Sequence, residues 1–552
     1  MCPLEPATPR QPDQTTPEWY LAAVAIPHGN DIYIASDLHL GAGFDPASSR
    51  YSRLEAFFYD NDFRNFVRAI IDRQRAANQP ATLVLNGDVF DFLSLVQLPE
   101  EAELRSAGMQ LTPNEREFGL SSTEEKSVWK LEAIYTGHPK FFLALAELLC
   151  EGHYLVINRG NHDAELFWPA VRRRFDDIMV RTAGREGLTD EPERLRERIQ
   201  FNQWFYYEPG RFYIEHGNQY EPSNAVKYVL NPTLPPEYDI DHQPTLDYPM
   251  GSLFMRYLYN KMKLLDPFTT HYVTLEQYVG ITYHHNFVDL LRTGTLNFPF
   301  FVKAMRDARV FEEQGMAPVK KEHEAKMAEL AETSGLDQRL YQIEALMSRP
   351  VGTTKYNLLK QMLRPVVRGA ATFLGIGLLS ILIWFWIFSA IQHAPWLADG
   401  LLGRASMLAI FAVLTVVGLF LGFSFVNRAL HRAGDPNVQL CFDMAQQLSS
   451  MLDVKAVSMG HTHMADHRRM TNGGTYTNTG TWIPHHGPWD SIKPMSRQFT
   501  FVTIRGDESK LHRWSNEAGR WEPVTLLEEY TPTALEKLFS EGDARLTNKE
   551  ES

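Results

Sequence analysis

Cysteine is nearly absent: Cys2, Cys150 and Cys441 are the only three in 552 residues, far apart and in no metal-binding spacing. That excludes a disulfide framework and a thiolate cluster, and it suits a reducing compartment. No apolar stretch precedes Cys2, so no lipoprotein signal is read there. A basic surplus is missing too. Lys and Arg number 54 against 67 Asp and Glu, for a net charge of −13. A surface of that sign repels phosphate backbones, which argues against nucleic acid as a partner. Two stretches lack charge altogether. Residues 369–391 read GAATFLGIGLLSILIWFWIFSAI and residues 405–426 read ASMLAIFAVLTVVGLFLGFSFV. About 20 apolar residues in a helix cross the roughly 30 Å hydrocarbon core of a bilayer, so each run is long enough to span it. Pro395 and Gly400 lie in the short connection, which predicts a two-helix transmembrane hairpin over residues 366–427.

What remains reads as a large α/β protein with insertions. The hydrophobic fraction of 44% is enough for a sizeable core, and the length exceeds one ordinary domain. Residues 1–25 are rich in Pro, Thr and Gln and predict no fixed structure. Strand-like runs follow at Asp31 to Ser36, Ala81 to Asn86 and Tyr154 to Asn158, with helical patterns at Leu54 to Ala77 and Pro139 to Cys150 between them. Such alternation is the α/β signature, and its ligands belong at the carboxyl ends of the strands. Further strand-like runs lie at Phe212 to Glu215, Ala456 to Met459, Thr475 to Thr477 and Phe499 to Ile504. The expected organisation is a catalytic domain in two parts, residues 26–220 and 428–525. Between them come a helical insertion, residues 221–365, and the hairpin; residues 526–552 form a peripheral tail. The aromatic section His271 to His285 is expected to be a packing helix rather than a site.

Five of the strand-like runs end in metal-ligand residue types. In chain order these are Asp37-Leu-His39, Gly87-Asp88-Val-Phe-Asp91, Gly160-Asn161-His162-Asp163, His216-Gly217 and Gly460-His461-Thr-His463. Singly they mean little, because Asp-x-His recurs by chance and Gly-Asp after a strand is usually a turn. The conjunction is what carries weight. Hydrolysing a phosphate ester needs a nucleophile at neutral pH and relief of charge on the phosphoryl oxygens, and two cations about 3.5–4 Å apart supply both. Such a pair needs one bridging carboxylate with imidazoles and oxygens around it. Mixed N and O donors suit Mn, Fe or Zn better than Mg or Ca.

These motifs resemble those of the calcineurin-like metallophosphoesterases over roughly residues 30–220 and 435–505. The resemblance implies a four-layer α/β/β/α sandwich and two divalent ions, Mn²⁺ foremost, with Fe or Zn as alternatives. Matched motif by motif, it implies that Asp37, His39, Asp88 and His463 hold one ion. Asp88, Asn161, His216 and His461 would hold the other, with Asp88 as the bridge. His162 would lie beside the phosphate as general acid or charge stabiliser, oriented by Asp163 or Asp91. SDLHLG, GDVFDF and NTGTW are most similar to the branch with UDP-diacylglucosamine pyrophosphohydrolases, which cleave a lipid-linked pyrophosphate. Two positions depart from the pattern. Phe92 stands where many members have Arg, and His162 where that lipid branch often has Arg. Candidate phosphate-binding groups are Arg159, Asn224 and Lys227, with Arg172-Arg173-Arg174 more often a solvated helix face. His485 and His486 are candidates for the pocket mouth.

The hairpin bears on the mechanism through connectivity. Four motifs precede it and the fifth follows, so an even number of crossings is required. Lys355, Lys360, Arg364 and Arg368 precede the first run, Arg428 and Arg432 follow the second, and the connection holds only Arg404 against Asp399. Positive residues stay inside, so the expectation is a two-pass inner-membrane protein with its catalytic domain in the cytoplasm. Held near the headgroups, the site favours an amphiphilic phosphorylated substrate. A phosphodiesterase or phosphatase for soluble nucleotides and a non-catalytic membrane scaffold are the alternatives.

Overall fold

The computed structural model describes residues 26–45, 48–262, 275–347, 436–483 and 499–524, with isolated positions between 375 and 413. Its centre is a pair of facing sheets built from strands that are apolar on both sides. In Asp31–Ala35, Ile32 and Ile34 point to the space between the sheets, while Tyr33 and Ala35 point to the outer helices. Ala81–Asn86 divides likewise, Val84 inward and Leu83 and Leu85 outward. This is the period-2 pattern of a strand buried on both faces.

One sheet has seven strands, in the order Arg520–Glu522, Glu508–Ser515, Thr500–Arg505, Asp31–Ala35, Ala81–Asn86, Tyr154–Asn158, Ile199–Asn202. The other has five, in the order Asp466–Arg469, Thr475–Asn478, Ala456–Met459, Phe212–Glu215, Phe205–Glu208. Ile32, Ile34, Val84 and Val156 of the first meet Phe212, Ile214 and Ala456 of the second. Helices Asp60–Ala77, Pro139–Cys150 and Pro169–Arg185 cover the outer face of the seven-stranded sheet. Gln338–Met347 and Pro436–Leu452 cover the five-stranded one. The layering is therefore α/β/β/α.

Parallel pairing aligns the strand ends. Asp31–Ala35 pairs parallel with Ala81–Asn86 and that strand with Tyr154–Asn158, up to Asn86 opposite Asn158. In the second sheet Phe212–Glu215 and Ala456–Met459 are also parallel neighbours. All five motif loops leave from carboxyl ends.

Several elements differ from expectation. The first helix starts at Asp60, not Leu54, because the Glu55 carboxylate accepts from the Gly41, Gly43 and Phe57 amides and holds that stretch extended. The insertion is not uniformly helical. Between residues 221 and 262 it is mostly loop, with a strand pair Thr233–Leu234 and Thr245–Leu246 and the helix Met250–Tyr257. This part is docked on the core: Arg256 donates to the Leu120 and Gly119 carbonyls at 2.7 and 2.8 Å, and Tyr248 to Glu165 at 2.6 Å. The helices Leu275–Val310 and Met316–Ser334 follow. Residues 271–274, the first 25 residues and the tail 526–552 lie outside the described residues, as does nearly all of the hairpin. Among the described residues no helix is long and apolar enough to cross a membrane. Within the first apolar run, the described positions Leu378, Leu379 and Ile381 to Trp386 are helical and exposed.

Candidate metal centre

The ligand loops are stitched to one another by backbone bonds. The Asp37 amide donates to the Gly87 carbonyl at 3.2 Å, the His39 amide to Asp88 at 3.0 Å, and the Gly460 amide to His216 at 2.9 Å. Five candidate ligands adopt the left-handed backbone that non-glycine residues avoid: Asp37 (φ 54°), His39 (52°), Asp88 (51°), His461 (67°) and His463 (56°). Such strain of about 1–3 kcal/mol per residue collects at functional sites. Glycine supplies the clearance. A Cβ on Gly87 would stand 2.6 Å from the His216 ring, and one on Gly160 only 2.5 Å from the Asp88 nitrogen.

Among the described residues the side chains gather in three groups, Asp37–His39–His463, Asp88–His216–His461 and, sharing His39, His39–Asp91–His162, each with its donor atoms within 4.8 Å of one another. In the first, His463 Nε2 lies 3.0 Å from Asp37 Oδ1 and 3.1 Å from His39 Nε2. In the second, His216 Nε2 lies 3.1 Å from Asp88 Oδ2, while its Nδ1 meets the Asn86 carbonyl at 2.9 Å. That backbone bond fixes the tautomer that leaves Nε2 its lone pair, the usual arrangement behind a metal-bound imidazole. Asn161 is buried, and its Oδ1 has no hydrogen-bond partner. A buried amide oxygen without a partner is costly unless something fills its lone pairs, and a hard cation would.

Electrostatics point the same way. Burial would raise Asp88, yet His216 and His162 hold it well below the usual carboxylate range. Burial would lower His216, yet Asp88 pushes it up to about 10. The buried Asp88 carboxylate thus demands positive charge beside it, which a divalent cation would supply. His463 goes the other way, down to about 4, chiefly through burial, and is neutral as a ligand must be. The donor set fits two divalent ions.

His162 stands beside the first group, its ring edge-on to His39 with centroids 4.7 Å apart. Its Nδ1 lies 3.2 Å from Asp91 Oδ1, and its amide donates to Asp88 Oδ1 at 2.8 Å. Burial disfavours its charge, but Asp91 lifts it to about 9. Asp163 does not orient it. That carboxylate accepts from the Val89 and Gly160 amides at 2.9 and 2.6 Å and ties two ligand loops together; burial and Asp88 raise it to about 7.

Residues 31–248 match the family model described as calcineurin-like phosphoesterase. That stretch is therefore similar to a family of phosphoesterase hydrolases. The family binds two divalent metals, and the groups described above offer candidate ligands of that kind. No curated protein and no solved structure matches the chain.

The phosphate-binding expectations fare less well. Buried Arg159 donates to the Gln203 carbonyl at 3.0 Å and to the Val229 carbonyl at 2.5 Å, so its guanidinium is used in joining loops. Lys227 is exposed and lies over the Tyr228 ring at 5.9 Å. Asn224 donates to Glu221 at 3.0 Å rather than pointing to the metal groups. Arg172 is buried against the Leu166 and Phe167 carbonyls, and Arg174 pairs with Glu132. His485 and His486 lie outside the described residues. NTGTW proves to be a brace. Asn478 holds the Gly460 carbonyl at 2.7 Å, Thr481 holds the Asp37 carbonyl at 2.8 Å, and Trp482 is buried against Phe63 and Phe66. One residue was not anticipated at all: Glu221, whose Oε2 lies 2.7 Å from His461 Nε2. Its only sequence signal is a lone acid five positions after His216.

Proposed function

We propose that this chain is a binuclear metal-dependent phosphoesterase that hydrolyses a phosphate ester or pyrophosphate on an amphiphilic substrate at a membrane. The observation that carries the chemistry is the pair of donor groups, Asp37–His39–His463 and Asp88–His216–His461, on loops stitched to one another. Asp37, His39, Asp88 and His463 would hold one ion, and Asp88, Asn161, His216 and His461 the other. Mn²⁺ is the ion proposed, since these N and O donors suit Mn, Fe or Zn. When bound, the two ions supply an acidified water and a clamp on the phosphoryl oxygens. The protein's own part is positional. Asp91 fixes Nδ1 of His162, which leaves Nε2 to donate a proton to the leaving group or to a charged phosphoryl oxygen.

The substrate class rests on the two charge-free runs, residues 369–391 and 405–426, on the basic flanks outside them, and on the resemblance of SDLHLG, GDVFDF and NTGTW to the lipid-pyrophosphatase branch. The exposed helical residues Leu378, Leu379 and Ile381 to Trp386 are apolar, as a lipid-facing segment would be. Purified in detergent, the protein should bind about two equivalents of Mn²⁺ and hydrolyse a lipid phosphodiester or pyrophosphate. Asp88→Asn should fold, lose metal and lose most activity. Two full equivalents of metal in that variant would sink the assignment.

A further inference from the structure

Glu221 lies in the loop after His216, and its Oε2 is 2.7 Å from His461 Nε2. The carboxylate is itself held. Ser223 Oγ donates to Oε1, and Asn224 Nδ2 donates to Oε2 at 3.0 Å. Asn224 is in turn backed by the insertion. The Gly251 amide, at the start of helix Met250–Tyr257, donates to the Ser223 carbonyl at 2.8 Å, and a Cβ on Gly251 would collide with the Asn224 amide. Glu221 belongs to none of the three-residue donor groups, so it stands behind His461 rather than among the converging ligand atoms.

An imidazole binds a cation through one nitrogen only, and the other then carries a proton that wants an acceptor. For His216 that acceptor is the Asn86 carbonyl, on Nδ1. For His461 the acceptor at hand is Glu221, on Nε2. We propose that Glu221 is the positioning residue for His461: it accepts the Nε2 proton, fixes the tautomer with Nδ1 open to the cation, and so tunes the second metal site. The proposal rests on the binuclear reading above. It makes the loop of residues 221–224, braced by the insertion helix, a support that couples the insertion to one of the two metals.

Carboxylates behind metal-bound histidines typically contribute 10–100-fold in metal affinity. Calorimetric titration of the metal-free full-length protein in detergent with Mn²⁺ tests the idea. Glu221→Ala should weaken one of the two sites by about that factor and leave the other unchanged. Glu221→Gln, which keeps an oxygen acceptor but loses the charge, should recover part of the difference. Wild-type affinity at both sites in Glu221→Ala overturns the proposal, as does equal weakening of both sites or a Gln variant no better than Ala. If Ala does not fold, Gln alone decides: one selectively weakened site supports the role, and two unchanged sites refute it. A wild-type protein that binds no metal would refute the binuclear reading itself.

Discussion

Gly160→Ala is the smallest perturbation the metal centre should feel, and its size follows from the structure. Gly160 precedes Asn161 and His162, and it is not in a left-handed conformation, so alanine is acceptable to its backbone. Space is what it lacks. A Cβ there would lie 2.5 Å from the Asp88 backbone nitrogen, 3.0 Å from Cγ, and closer still to Oδ1. Because one of the atoms is backbone, no rotamer of Asp88 relieves the clash. Asp88 must withdraw by about 1 Å to reach ordinary contact, or the Gly160–Asp163 loop must move. Overpacking of this kind costs about 1–3 kcal/mol of stability. The functional effect should be larger, since a misplacement of about 1 Å costs roughly 100-fold in rate. The assay is turnover of bis(4-nitrophenyl) phosphate with saturating Mn²⁺, read beside metal content and thermal unfolding. Gly184→Ala is the control: it sits in the helix Pro169–Arg185, and its Cβ would meet nothing nearer than Pro192 at 4.0 Å. That change should be neutral or slightly stabilising. If Gly160→Ala turns over at the wild-type rate with two metals bound, the Asp88 loop is not the tight cradle described here.

Three further outcomes are expected. His162→Ala should keep both metals yet lose about 2–4 orders of magnitude in kcat, and unchanged turnover would refute its role. Away from the site, burial disfavours a charged His138, but Glu55 and Asp60 raise it to about 9. A folded-state pKa above the unfolded value of about 6.5 gives stability that is full below pH 6.5 and fades as pH rises through about 9. Urea unfolding should therefore weaken over that window, and His138→Gln should flatten the slope. Cysteine labels at Ala394 and at exposed Thr471 should report opposite faces in sealed vesicles; labelling from the same face would rule out a spanning hairpin.

The ligand inventory was legible because phosphoester chemistry restricts it. Few residue types hold two hard cations, and in a parallel α/β sheet they must sit where strands end. Runs such as ATLVLN and YLVIN mark those ends by composition alone, and the strands Ala81–Asn86 and Tyr154–Asn158 occupy those very residues. Strands near the sheet edge were harder. Glu508–Ser515, beside the short edge strand Arg520–Glu522, carries Lys, His and Arg, so its composition does not announce a strand. Charge also misled. Arg159 and Arg172 were natural phosphate candidates, yet both are buried and spend their donors on backbone carbonyls that no sequence pattern identifies. Asp163 failed for a related reason: adjacency to His162 in the chain suggested a partnership, but the loop turns its carboxylate back onto the Val89 and Gly160 amides.

What no reading of residue types could supply is the backbone posture that makes the site work. Asp37, His39, Asp88, His461 and His463 all take positive φ, a choice glycine or asparagine would make more cheaply. Local preference therefore opposes the conformation at five positions, and the surroundings must enforce it. They do so through backbone bonds between loops far apart in sequence: Asp37 to Gly87, His39 to Asp88, and Thr479 and Trp482 to Met459 and Asp37. Except for Thr479 to Met459, each bond involves a loop before the apolar runs, and Trp482 to Asp37 crosses from one side of those runs to the other. A centre assembled this way cannot be half formed. The Gly460–His463 loop, folded alone, would have no reason to adopt its strained shape, and Asp37 without the NTGTW brace would lose its carbonyl partners. The metal groups are thus a property of the whole sandwich, which explains why the chain can carry a long insertion between its fourth and fifth motifs and still bring His461 and His463 back to Asp37.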